Sequence, residues 1–364
     1  YGGRTVPADG KLTDIWAKAV VLRDAQKNEV VLITADLVGI GTESTKWVAE
    51  QLKKNHGLER NQFAIATSHT HTGPALSDNL VPLHFLRADE AQQNRIAEYT
   101  QQMRQMLVDV VGLAYKEMEP AYLTSGSGHC TVAVNRRTNR EAEVPQKRLE
   151  GKLNGPFDHD VPVLAIRNAE YELKTVVFGY ACHSTVLSFT QWSGDYPGFA
   201  QLELEKRYPG IDAMFWAGCG ADQNPLPRRT VELAQHYGQR VAQSVDSVLL
   251  GAMESVEGGL SAHYQEIAGK TQEPISRSDL NELLENGNQY EKPFAQYVLG
   301  KRDNVNPPPR TYPYPVQTWH IGDIKMVFLG GEVVVDYALI KSRLFQIRAL
   351  LFCVVNLCMI CIFQ

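Results

Sequence analysis

Residues 62–76 read QFAIATSHTHTGPAL: an apolar, β-prone run, two histidines one residue apart, and a Gly-Pro turn. A strand that delivers imidazoles at its C-terminal end and then turns fits an α/β architecture in which strand ends carry the chemistry. Outward from this stretch, similar runs occur at 17–23, 29–35, 161–166, 174–181, 212–217 and 324–329. Several are almost continuously hydrophobic, as strands covered on both faces are. Helical patterns alternate with them. Residues 89–118 open with Asp89 and Gln92 at capping-box spacing and set Ile96, Tyr99, Met103, Met106, Val110 and Leu113 on one expected face. Residues 231–249 do the same with Ala234, Tyr237, Val241, Val245 and Val248. The expected fold is therefore α/β: a mixed, largely parallel sheet flanked by helices, with the active site at strand ends.

Composition narrows the function classes. The chain has 364 residues, 44% of them hydrophobic, enough for a large core. Its formal charge of -5 and its lack of a basic run interleaved with aromatics argue against nucleic acid as a partner. Six cysteines in this length do not make a disulfide scaffold, and Cys353, Cys358 and Cys361 crowd the last residues. Two polar connections, 137–160 and the proline-rich 302–315, are expected to be surface loops. Neither oligomeric state nor compartment is legible.

The polar residues of interest share one kind of position. His69 and His71 follow the run 62–67, His183 follows 174–181, Gly220-Ala221-Asp222-Gln223-Asn224 follows 212–217, and Glu332 follows 324–329. Parallel strands would bring these ends together. Two or three imidazoles with a carboxylate match the preference of Zn²⁺, and three protein ligands leave a position open. Such a centre suits hydrolysis of an amide or ester. A single histidine after a strand, such as His159 or His320, is more often hydrogen-bonded or solvated, and an isolated H-x-H pair does not decide the matter. Metal-dependent amidohydrolase barrels also use H-x-H after a strand, normally the first barrel strand, whereas two good strands precede it here. A binding protein without turnover is the non-enzymatic reading.

The longer strings are more specific. SHTHTGPA (68–75), VNRR (134–137), YACHSTVLS (180–188), SGDYPGFAQLELEKRYPG (193–210), FWAGCGADQNP (215–225) and GGEVVVDYAL (330–339) occur in this order. Together they resemble the N-terminal domain of neutral/alkaline non-lysosomal ceramidases, from Tyr1 to about residue 340. The resemblance implies zinc held by His69, His183 and Glu332, His71 as a proton-transfer group beside the metal, and Arg136 facing the substrate carbonyl or headgroup. It further implies a lipid-like amide substrate such as ceramide, a place in sphingolipid metabolism, and a secreted, periplasmic or cell-surface location.

Two departures qualify it. The family carries Gly-Asp-x-Ser-Pro-Asn after the strand 212–217, with the serine implicated in catalysis; Gln223 stands at that position here and cannot be a nucleophile. Gln223 or Asn224 is expected instead to donate to the substrate oxyanion. Asp195, before Pro197, reads as a helix cap, with Asp195 or Asp222 as alternative carboxylate supports for an imidazole. The second departure is the tail: the family pattern runs over 1–340, while 341–364 is an atypical apolar segment without the family's fourth ligand, a tyrosine. Its run 349–363 is short for a bilayer span and favours aggregation or peripheral membrane contact, so a changed reading frame and weak activity of this form are the expectations.

Overall fold

The structure, a computed structural model, describes residues 4–302, 310–345 and 349–354. Residues 303–309 of the proline-rich connection and 346–348 and 355–364 of the apolar tail lie outside the described residues, and 311–315, expected in a surface loop, instead open the strand Thr311–Ile321.

The strands that frame the site are β1 (Ala17–Arg23), β2 (Glu29–Ala35), β3 (Phe63–Thr67), β4 (Ala121–His129), β5 (Asp160–Asn168), β6 (Leu173–Tyr180), β7 (Asp212–Ala217), β8 (Leu260–Lys270), β9 (Thr311–Ile321) and β10 (Ile324–Gly330). The principal helices are α1 (Thr42–His56), α2 (Glu90–Lys116), α3 (Asp195–Arg207) and α4 (Val231–Leu250). They form a three-stranded sheet β1-β2-β3 and a larger sheet β7-β6-β5-β4 extended by Glu254–Ser255. A third sheet, β8-β9-β10, is extended by Ala349–Val354.

Side-chain alternation explains the layering. In β2, Val31 and Ile33 face α1 and α2, while Val30 and Leu32 face the opposite way. In the larger sheet Val163, Ala165, Val176, Phe178, Ala213 and Phe215 point toward α3 and α4. Leu164, Val177, Met214 and Trp216 instead meet Val30, Leu32 and the Trp319, Met326 and Phe328 side chains of the third sheet. Both faces of β2, β5, β6 and β7 are thus buried, which is why these strands read as unbroken apolar runs. Among the described residues the sheets stay open, with no closed barrel.

The α/β class and the placement of the site at strand ends stand, but parallel pairing is sparser than expected. Among the strands named above, β2 with β3 and β6 with β7 are parallel, while β1–β2, β4–β5, β5–β6, β8–β9 and β9–β10 are antiparallel. The connections 24–28, 169–172 and 322–323 are too short for a crossover and force the chain to return. The two parallel pairs are the ones whose C-terminal ends lead to the histidines.

Helix α2 starts as expected, with the Asp89–Gln92 capping box formed. Its buried face is Thr100, Met103, Leu107, Val108 and Val111, leaving Met106 and Leu113 exposed, so the stripe is rotated from the expected one. Val108 and Val111 had no place in a strict one-face reading, yet they fill the space against α1 and β2. On α4, Ala234, Tyr237, Val241 and Val245 are buried as expected. The connection 137–160 carries a short helix, Val144–Leu149, that buries Val144.

Gly179 in β6 lies opposite Trp216 of β7, and a Cβ there would fall 2.2 Å from the buried indole. That ring is closed in by two layers and cannot swing away. Gly179→Ala should therefore destabilise the fold by about 1–3 kcal/mol, the usual range for overpacking. An unchanged urea midpoint would show the indole to be mobile.

Candidate metal centre

The segment after β3 divides its labour by alternation. Ser68, Thr70 and Thr72 are buried anchors: Ser184 Oγ donates to the Ser68 carbonyl (2.6 Å), Thr70 Oγ1 donates to the Ser193 carbonyl (2.8 Å), and the Thr72 and Ser193 hydroxyls meet at 2.7 Å. The intervening His69 and His71 send their rings into the space between the strand ends. The segment is a turn rather than an extended strand, because His69 has a left-handed backbone (φ +57). The two rings nevertheless converge, with Nε2 atoms 3.2 Å apart.

Each of two imidazoles is oriented by a main-chain carbonyl. His69 Nδ1 donates to the Val38 carbonyl (2.6 Å) and His183 Nδ1 to the Gly220 carbonyl (2.8 Å). Both Nε2 lone pairs are thereby directed to a common point. Glu332 meets them there, with Oε1 3.7 Å from His69 Nε2 and Oε2 3.3 Å from His183 Nε2. Gly220 has no room for a side chain, since a Cβ would lie 2.5 Å from the Cys182 amide nitrogen.

These residues fit a metal ion. Two ligand atoms on a tetrahedral zinc with bonds of about 2.1 Å stand roughly 3.4 Å apart, close to the separations found. The protonation states fit too. Burial drives the His69 pKa down to about 4, so its lone pair is free at neutral pH. Burial, with His69 and His183 nearby, holds His71 well below its usual value. Burial works to raise Glu332, but the His183 hydrogen bond and the charges of His69, His183 and Arg136 prevail and bring it to about 2. Neutral imidazoles and an ionised carboxylate are the forms a metal requires. The ligand-capable ring nitrogens of His69, His71 and His183 lie within 4.8 Å of one another, so distance alone offers His71 as a ligand on the same footing as the others.

The remaining expected site residues behave differently. Arg136 follows the strand 133–135, its amide donates to the Asp222 carbonyl (2.8 Å), and its charge is felt by Glu332 and His69. The Gln223 side chain does not serve as the expected free oxyanion donor. It is fully buried, its Nε2 donates to the Ala181 carbonyl (2.5 Å) and its Oε1 accepts from the Asp158 amide (3.1 Å), which makes it a strut under the His183 loop. The Gln223 carbonyl also accepts from the His183 amide (2.9 Å). Asp222 supports the glutamate rather than an imidazole, since its Oδ1 accepts from the Val335 amide (2.8 Å). His159 Nε2 donates to the Ala133 carbonyl (2.9 Å), the ordinary fate of a single histidine.

Asp195 is not an N-cap. It is the first residue of α3, left-handed at φ +54, and its carboxylate accepts from the Val186 (3.3 Å), Leu187 (2.9 Å) and Tyr196 (2.6 Å) amides. It thus pins the loop that follows His183. Sequence reasoning missed Arg4, whose Nη2 donates to the His71 carbonyl (2.6 Å) and whose Nη1 reaches the Phe189 carbonyl. Nothing in its sequence neighbourhood signals that contact.

The sequence profile described as neutral/alkaline non-lysosomal ceramidase, N-terminal, matches residues 1–262. No curated protein matches the sequence significantly. The fold is similar to that of the neutral ceramidase from Pseudomonas aeruginosa, with a TM-score of 0.68 and 20% identity over 94% of this chain and 62% of that one. It is also similar to a ceramidase complexed with C2, with a TM-score of 0.71 and 18% identity over 96% of this chain and 64% of that one. This chain therefore spans less than two thirds of either solved protein.

Asp195 generates a pH prediction. Burial raises its pKa from 3.8 to about 6 against the pull of the three amides. A carboxyl raised on folding contributes stability that is fully present below its unfolded pKa and is lost as pH rises through the folded value. Asp195→Asn should remove the part of the decline in stability between about pH 4 and 6 that this group causes. It should also lower stability by about 1–3 kcal/mol at pH 7, because an amide replaces one acceptor oxygen with a donor. Urea midpoints across that range check both; parallel pH profiles for the two proteins would refute the first.

Proposed function

Because the chain belongs to the neutral/alkaline non-lysosomal ceramidase family, we propose that it is a zinc-dependent hydrolase of a linear amide bond in a ceramide-like N-acyl lipid. The observation that carries this reading is the convergence of two carbonyl-oriented imidazoles, a third imidazole and an ionised glutamate at one point. His69, His183 and Glu332 would hold the ion, which supplies a polarised carbonyl and a water acidified to near neutrality.

The chain's own residues carry the rest. His71 is neutral at working pH, so it can take the proton of the attacking water and return it to the departing amine nitrogen. Its backbone amide donates to the Ser184 carbonyl (3.2 Å), and Arg4 holds its carbonyl, so the ring starts from a fixed backbone. Arg136 offers guanidinium hydrogens to the carbonyl oxygen or headgroup. With Gln223 occupied in the scaffold and no serine at that position, attack comes from water rather than from a side-chain nucleophile.

Two substitutions separate the roles. His69→Ala should abolish stoichiometric zinc by metal analysis. His71→Ala should keep zinc while hydrolysis of a fluorescent N-acyl sphingosine falls by roughly 10²–10⁴-fold. Loss of zinc from both variants alike would make His71 a ligand, and stoichiometric zinc in His69→Ala would end the assignment.

A further inference from the structure

Residues 4–12 lie along the loop that follows His183 and are fastened to it at several points. The pair Gly10–Lys11 runs parallel to Gln191–Trp192, and the Leu12 amide donates to the Trp192 carbonyl (2.8 Å). Thr190 Oγ1 donates to Asp9 Oδ2 (2.8 Å), and from the first turn of α2 Gln92 Nε2 donates to the Thr5 carbonyl (3.1 Å). The backbone next to Arg4 is therefore held, and its side chain reaches the site from a fixed start.

That side chain joins two loops at once. Arg4 Nη2 donates to the His71 carbonyl (2.6 Å) while Nη1 donates to the Phe189 carbonyl. The same stretch is tied again to the loop after His183, since the His71 amide donates to the Ser184 carbonyl (3.2 Å) and the Thr72 carbonyl accepts from the Ser193 amide (3.0 Å). Both polar groups of the His71 backbone are thus engaged, the amide by the chain just beyond His183 and the carbonyl by Arg4. Hydrogen bonds from a charged donor are roughly twice as strong as neutral ones, and a planar guanidinium presents fixed, forked donors where an ammonium presents a point charge. His71 Nε2 stands 3.2 Å from His69 Nε2. A displacement of the His71 backbone by about 1 Å would therefore change what its ring can reach.

We propose that Arg4 is a positioning residue for His71: its fork sets the placement of the His71 loop against the loop after His183, which makes the N-terminal segment a working part of the site. What His71 does with its ring rests on the hydrolase reading; the clamp rests on the hydrogen bonds alone.

Two readouts keep these apart. In metal-free protein isotopically labelled at its histidines, Arg4→Ala should shift or broaden the ring nitrogen resonances of His71 and leave those of His183 in place. In zinc-loaded protein the same variant should keep stoichiometric metal and its KM for a fluorescent N-acyl sphingosine, while kcat falls by about 10–100-fold. Millimolar guanidinium should restore part of that loss and an equal concentration of potassium should not. Arg4→Lys should show smaller changes in the same direction, and it serves the comparison if the alanine variant does not fold. Asp9→Ala, which loosens the same segment without touching the His71 carbonyl, should leave kcat and the His71 resonances unchanged. Unaltered His71 resonances or an undiminished kcat in Arg4→Ala, or equal changes in Asp9→Ala, would overturn the assignment. Altered resonances in a protein whose unsubstituted, zinc-loaded form hydrolyses no N-acyl lipid would refute the hydrolase reading and leave the clamp intact.

Discussion

Two main-chain carbonyls, those of Val38 and Gly220, act on imidazole nitrogens that face away from the site and thereby decide what faces into it. A histidine that donates from Nδ1 has its lone pair on Nε2, and a buried ring held at one edge has little freedom to turn. Fixing the tautomer through backbone atoms makes the arrangement depend on strand position rather than on further side chains. Val38 lies in the loop after β2 and Gly220 in the loop after β7, each neighbouring in its sheet the strand that delivers the histidine concerned. The two parallel strand pairs are therefore the structural requirement behind the centre.

Around this, the loops are sewn together by short hydroxyl side chains and two buried carboxylates. Thr70, Thr72 and Ser193 join the loop of His69 to the start of α3, Ser184 ties that loop through the Ser68 carbonyl to the loop of His183, and Asp195 joins α3 to the loop of His183. Such a network is rigid when fully satisfied and expensive when broken. The Arg4 contact extends the same logic to the beginning of the described chain.

Much of this was legible in the sequence. Seven strand boundaries followed from apolar runs, whereas Ala121–His129, Leu260–Lys270 and Thr311–Ile321 interleave polar residues and were not expected as strands; the collection of His69, His71, His183 and Glu332 at one end followed from their shared place after strands. The antiparallel returns were not anticipated and a largely parallel sheet was expected, although the connection 169–172 is too short to hold a crossover. Other features were not legible, for physical reasons. Gln223 and a free amide donor look identical in sequence, and its burial between the Ala181 carbonyl and the Asp158 amide emerges once three loops meet. The rotation of the α2 stripe depends on what α1 places opposite it. Carbonyl partners such as Val38 carry no residue signature, because every residue has that group.

His69 adopts a left-handed backbone in which a β-carbon is crowded, a conformation that commonly involves about 1–3 kcal/mol of strain for a residue other than glycine. Folding on its own would favour glycine at this position, and the imidazole is retained against that preference. Stability and the candidate site are thus set in opposition at one residue, so a search for hardier variants of this protein would be drawn toward a replacement there that makes the fold sturdier and removes one of the converging imidazoles.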